Sequence, residues 1–235
     1  MFLRIRFALL LCGLLVSMVG TAQKYTEGVF EFGYISHEIT KDSVDEEVIA
    51  PILKQLTSIP KVTFYFTPNR LAVITEDPAS PVTRGVVDLE ANIEYSFGEI
   101  VGSKSFITND FDKDISKPVP ISAEYGEGRQ LDEKIHGLTC KEYKSTDKGY
   151  SLTIITSEDI VIPVGTMLNS MLTDGGFTVS TEITDANVGF SYKVGLVSFS
   201  PKITDRSVLS IDTTGMNNMT HISEEFMNAI KEEKN

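Results

Sequence analysis

Apolar and polar residues alternate with a period of two through most of the chain between Gly28 and Ser198, in runs bounded by Gly, Pro, Asn and Asp. That period sets successive side chains on opposite faces of extended backbone, so the runs predict β-strands rather than helices. The run Val29-Phe30-Glu31-Phe32-Gly33-Tyr34-Ile35 puts aromatics at 30, 32 and 34 on one face. Lys61 to Phe66 and Arg70 to Thr75 flank Thr67-Pro68-Asn69, a hairpin turn. Thr83 to Leu89, Asn92 to Phe97 and Lys104 to Thr108 follow, and Pro120 to Tyr125 reads as a short strand. Leu138 to Ser145 and Tyr150 to Ser157 flank Thr146-Asp147-Lys148-Gly149, with Gly149 where the turn asks for positive φ. Gly176 to Thr184, Gly189 to Ser198 and Ser207 to Asp212 complete a set of about ten strands.

Two segments carry a helical period instead. Val44, Val48, Ile49, Ile52, Leu56 and Ile59 share one face after Asp42-Ser43, a capping pair, and Asp45, Glu46 and Glu47 suit the positive end of a helix. Pro51 lacks an N–H, so it predicts a kink or a start near Ala50. The second helix is predicted near 220–231, with Ile222, Phe226, Met227 and Ile230 on one side, and a short third piece from Met167 to Leu172. With no repeat and no linker, residues 23–235 read as one α+β domain: a strongly curved, mostly antiparallel sheet wrapped partly around one or two helices.

The first 22 residues read as an address. Arg4 and Arg6 precede an apolar run from Phe7 to Val19, and Gly20-Thr21-Ala22 offers a small-residue cleavage site before Gln23. The run falls short of the roughly 20 residues that span a bilayer. Cys12 lies inside it behind Leu11, so it is no lipidation site. Cleavage would remove two positive charges and turn a net charge of −12 into −14 on 213 residues. No later stretch reaches membrane-spanning length, so an exported, periplasmic or cell-surface protein is expected. Nucleic acid, which needs clustered Lys and Arg, is not expected as a partner. A domain of this size buries about 70% of its unfolded surface and needs no disulfide.

Motifs that carry chemistry are missing. His37, His136 and His221 have no partner at metal-ligand spacing, and there is no nucleophile elbow, phosphate loop or dinucleotide fingerprint. Asp110-Phe111-Asp112-Lys113-Asp114 lacks the Gly and distal Glu of a calcium loop and reads as a solvated turn. Cys140 falls on a predicted strand, where a thiol acts as a small hydrophobe. No catalytic residue, metal or cofactor is therefore expected. The positive feature is aromatic: Phe30, Phe32, Tyr34, Phe64, Phe66, Phe190 and Tyr192 build an apolar face. Such a face is ordinarily core, but a curved sheet can leave part of it open to an acyl chain or apolar peptide.

The segment Lys134-Ile135-His136-Gly137-Leu138-Thr139-Cys140-Lys141-Glu142-Tyr143, followed by Gly149, Ile155-Thr156 and Ile160-Val161-Ile162-Pro163, resembles the central block of the GLPGLI-type exported proteins of Bacteroidota. Leu138 and Ile155 stand where Tyr and an aromatic are usual, and Gly165-Thr166-Met167-Leu168-Asn169 occupies the place of the namesake run. That group is similar to the LolA/LolB-like half-barrels that carry lipoproteins. The resemblance implies an exported half-open barrel with an apolar concave site and no catalytic residues. It also implies a lipid, a lipoprotein acyl chain or an envelope protein as partner. In such a source, Asp42-Ser43-Val44 and Asp212-Thr213-Thr214 resemble O-glycosylation sites.

Overall fold

The computed structural model describes residues 24–40, 46–76, 83–100, 102–110, 118–162 and 171–220. The expected signal peptide, the Asp42-Ser43 cap, most of the acidic turn after Asp110, the Gly165–Asn169 run and the helix after Thr220 lie outside them, as does His221. The strands are β1 (Gly28–Ile39), β2 (Lys61–Phe66), β3 (Arg70–Glu76), β4 (Thr83–Asp88), β5 (Ile93–Ile100), β6 (Ser103–Asp110), β7 (Arg129–Gln130), β8 (Lys141–Asp147), β9 (Tyr150–Ser157), β10 (Leu172–Thr173), β11 (Gly176–Asp185), β12 (Phe190–Ser200) and β13 (Asn217–Asn218). The helices are α1 (Glu46–Thr57) and α2 (Ile121–Tyr125).

All strands belong to one sheet in the order β13-β6-β5-β4-β3-β2-β1-β12-β11-β9-β8-β7, with β10 beside β11. Every pairing is antiparallel except that of the two-residue β13 with β6. The sheet does not close on itself. It consists of two antiparallel runs, β1–β6 and β7–β12, joined where β1 lies against β12. Three β-bulges fall on neighbouring strands, with Ile35 on β1, Val197 on β12 and Val179 on β11 as the extra residues. Each bulge bends its strand and increases its twist. Gly195, beside them, is required by close approach: a Cβ there would lie 2.4 Å from the Val179 carbonyl oxygen.

Both sheet faces bury apolar residues. On the face called inner here, Phe30, Phe64, Phe66, Leu71, Val87, Phe177 and Leu196 form one cluster. Phe30 stacks on Phe64 at 4.8 Å between ring centroids and meets Phe177 edge-on at 4.9 Å. This cluster is covered by irregular chain rather than by a helix: Leu138, Cys140, Ile160 and Ile162 pack onto it. Buried polar groups need partners, and hydrogen bonds tie this covering chain together. Asp159, buried, accepts the Thr139 N–H at 2.7 Å through a carboxylate oxygen and the Tyr25 N–H at 2.6 Å through its carbonyl.

On the outer face, Ala72, Val86 and Phe97 are covered by Ile203 and Leu209 from the chain after β12. That chain forms a 3-10 turn at Arg206–Leu209, where Ser207 to Asp212 had predicted a strand. Helix α1 belongs to the inner face, at the other end of β12: Phe190 and Tyr192 alternate in register with Leu196, and α1 packs Ile49 and Leu56 on Phe190, with Tyr34 and Tyr192 beside them, accommodating Pro51 within its length. Ile59 lies beyond the helix and is exposed, not on its apolar face.

Two further sequence expectations are corrected. Pro120 to Tyr125 yields α2, whose Ile121 is the residue that it buries. The strand predicted from Leu138 begins only at Lys141, so Cys140 precedes it. His136 and Gly137, both at positive φ, make a two-residue turn that returns Leu138 onto Ile135 and holds 138–140 against the core instead.

Candidate functional site: an open groove over β3 to β6

Cross-strand partners share a face, so the registers identify what the inner face carries beyond the aromatic cluster. Val73 and Thr75 on β3 are followed by Thr83 and Gly85 on β4, Glu94, Ser96 and Gly98 on β5, and Ser105 and Ile107 on β6. These residues line a half-open groove of about 380 Å³. Its volume is at the lower end of the range for small-molecule sites. The groove exists because its floor lacks bulk: Gly85, Ser96, Gly98 and Ser105 occupy adjacent strands, and a Cβ added at Gly98 would meet nothing within 4 Å. Val73 and Ile107 give the walls their apolar character.

Among the described residues, Glu94 is the one acid that lines the groove. It pairs across the strands with Val87, which is fully buried, and on the other side with Asn109, which is exposed. Partial burial pushes its carboxyl above the usual carboxylate range, with no ion pair or hydrogen bond among the described residues to oppose the shift. Glu31, on β1, shows the contrast. Lys61 bonds it at 2.7 Å and holds its carboxyl low. Arg84 also lines the groove, but its guanidinium lies 4.2 Å over the Phe97 ring and donates to the Ser207 carbonyl at 3.5 Å, on the outer face.

The residues singled out from the sequence fall elsewhere. Phe30, Phe64 and Phe66 meet in the inner core, with Phe32 packed against it. Tyr34, Phe190 and Tyr192 meet under α1. None of the seven lines the groove. Tyr34 borders a smaller hollow of about 290 Å³ beside the bulges, with Ile35, His136 and Val197. Its hydroxyl bonds His37 Nδ1, while His136 Nε2 lies 2.9 Å from the Leu196 carbonyl. Cys140 is fully buried, and burial pushes its thiol pKa up, which suits a core residue and not a nucleophile. Among the described residues no three His, Cys, Asp or Glu side chains gather as a metal site would need, and no helix is long and apolar enough to cross a membrane.

Glu94 was missed because it lies within a run, Asn92 to Phe97, that reads simply as a strand, and a lone acid in a strand carries no signal of its own. The usable signal was the coincidence of small residues at Gly85, Ser96, Gly98 and Ser105, which only the pairing of β4, β5 and β6 makes visible.

No family model matches the chain, and no curated protein matches it. Among solved structures, PNGF-II in a C2 space group aligns at 12% identity and a TM-score of 0.38, over 85% of this chain and 32% of that one. PNGF-II in P21 aligns at 12% identity and a TM-score of 0.39, over 85% of this chain and 33% of that one. The chain thus spans about a third of the length of these proteins.

Proposed function

We propose that this chain is an exported, non-enzymatic binding or carrier protein of the bacterial envelope that takes the apolar part of a ligand into the groove over β3 to β6. One observation carries the reading. The inner face packs Phe30 and Phe66 to zero exposure, yet the same face leaves a half-open groove of about 380 Å³ over β3 to β6. Interiors are close-packed, so a hollow of this size on a core-forming face needs an occupant or a purpose. The signal-like start and the resemblance to LolA/LolB-like half-barrels support the compartment and the acyl-type ligand. The acidic balance fits a ligand whose apolar part goes inside while nucleic acid and anionic headgroups stay away.

The test is occupancy. Native mass spectrometry and solvent extraction of freshly purified protein should find an acyl species. The neutral probe N-phenyl-1-naphthylamine should brighten on binding, and Gly98→Leu, which fills the floor without a backbone clash, should abolish that signal. A ligand-free wild type that gives no signal beyond that of Gly98→Leu would overturn the reading.

A second reading, a protein-interaction component of envelope assembly, draws on a different observation. Ile35 and Val197, two of the bulge residues, are 40% and 44% exposed at one hollow. Exposed apolar side chains grouped in this way suit protein contact. Residue-specific photocrosslinking from position 197 in cells, captured or not, separates it from the carrier.

A further inference from the structure

We propose that the groove selects a single-chain amphiphile ending in a primary ammonium group, with Glu94 as the residue that recognises the head. This rests on the carrier reading and deepens it. The geometry supplies each half of the preference. Val73 and Ile107, over a floor of Gly85, Gly98 and Ser105, offer a largely apolar trough of about 380 Å³. Glu94 stands in its lining, between buried Val87 and exposed Asn109, so its carboxylate borders both the apolar trough and water. An ammonium at the end of a chain lying in the trough would meet that carboxylate at the rim.

Among the described lining residues Arg84 is the other charged group, and its guanidinium is engaged with Phe97 and Ser207. Burial without a partner raises the carboxyl's pKa, and an incoming ammonium would restore the ionised form. An ammonium brings the carboxylate an opposite charge as well as a donor, whereas an alcohol brings a donor alone and would gain less. A carboxylate headgroup would meet a like charge and bind weakest.

Displacement of N-phenyl-1-naphthylamine by dodecylamine, dodecanol and dodecanoate at neutral pH reads this directly. Dodecylamine should outcompete dodecanol by about tenfold, the ratio expected for one charge-assisted contact in a half-desolvated site. Dodecanoate should be the weakest of the three. Glu94→Gln should bring the amine and the alcohol to within about twofold of each other by weakening the amine, and Glu94→Asp, shorter by one methylene, should keep part of the preference. Equal binding of the three chains by wild type, or an amine preference that survives in Glu94→Gln, would overturn the ammonium assignment and leave the carrier standing. Failure of all three chains to displace or bind would overturn both.

Discussion

Glu94 pairs directly across the β4–β5 ladder with Val87, a residue with no solvent exposure, and so holds a carboxylate against the edge of the core. Because its pKa is raised on folding, the native chain binds this proton more tightly than the unfolded chain does. Stability attached to Glu94 is therefore full below the ordinary carboxylate pKa and is lost as pH rises through the native value. Glu94→Gln removes that loss. Its Tm should exceed wild type by on the order of 1–2 °C at pH 7 and coincide with wild type near pH 3.5, an effect kept small by the water that still reaches the group. Paired thermal melts at the two pH values check the sign.

Gly33 and Gly195 face each other across β1 and β12, yet only one of them needs to be glycine. A Cβ on Gly195 would press on the Val179 oxygen and, at 2.6 Å, the Ser180 Cα, which are backbone and cannot swing away. A Cβ on Gly33 meets nothing within 4 Å. Gly195→Ala should cost about 2 kcal/mol or more and Gly33→Ala less than about 0.5 kcal/mol, as read from urea unfolding midpoints.

Phe30 touches Phe64, Phe66 and Phe177 and is fully buried, whereas Phe32 on the same strand is half-buried. Phe30→Ala should cost about 3–5 kcal/mol and Phe32→Ala about half of that, with m-values unchanged. A larger loss at Phe32 would move the centre of the core towards the bulges.

Cys140 is sealed, with a thiol that burial keeps protonated. In a chain starting at Gln23, where it is the one cysteine, Ellman's reagent should leave it unmodified in the native state and label it fully in denaturant. Rapid labelling of the native protein would contradict the packing of 138–140 onto the core.

Period-two alternation made the long strands legible, hairpins included: β2–β3 and β8–β9 turn where Pro68 and Gly149 predicted. Alternation states which residues share a face. It does not state what lies above that face. Tyr95 and Phe97 alternate along β5 as core residues do, and the chain from Ile203 to Met216 is what covers them on the outer face. The aromatic set read as one surface, yet β1 serves two clusters along its length, so Phe30 and Tyr34 part company. Short apolar stretches were the least legible. Ile121 and Val208 lie in segments that read as strands, and local hydrogen bonding with tertiary cover turns one into a helix and the other into a 3-10 turn. The groove was invisible for a related reason, since small residues mark a hollow only after four strands are set side by side.

The meeting of β1 with β12 also fixes a timetable. Strands β1 to β6 can pair in the order in which they are synthesised, each with its predecessor, and so can the strands of the second run. The junction cannot, because β1 emerges first and its second neighbour, β12, emerges near the end. Until then β1 keeps a long unpaired edge rich in aromatics, the kind of surface on which nascent chains aggregate. Completion of the sheet is thus a late event, and the twelve-residue strand that is made first is the last to be enclosed.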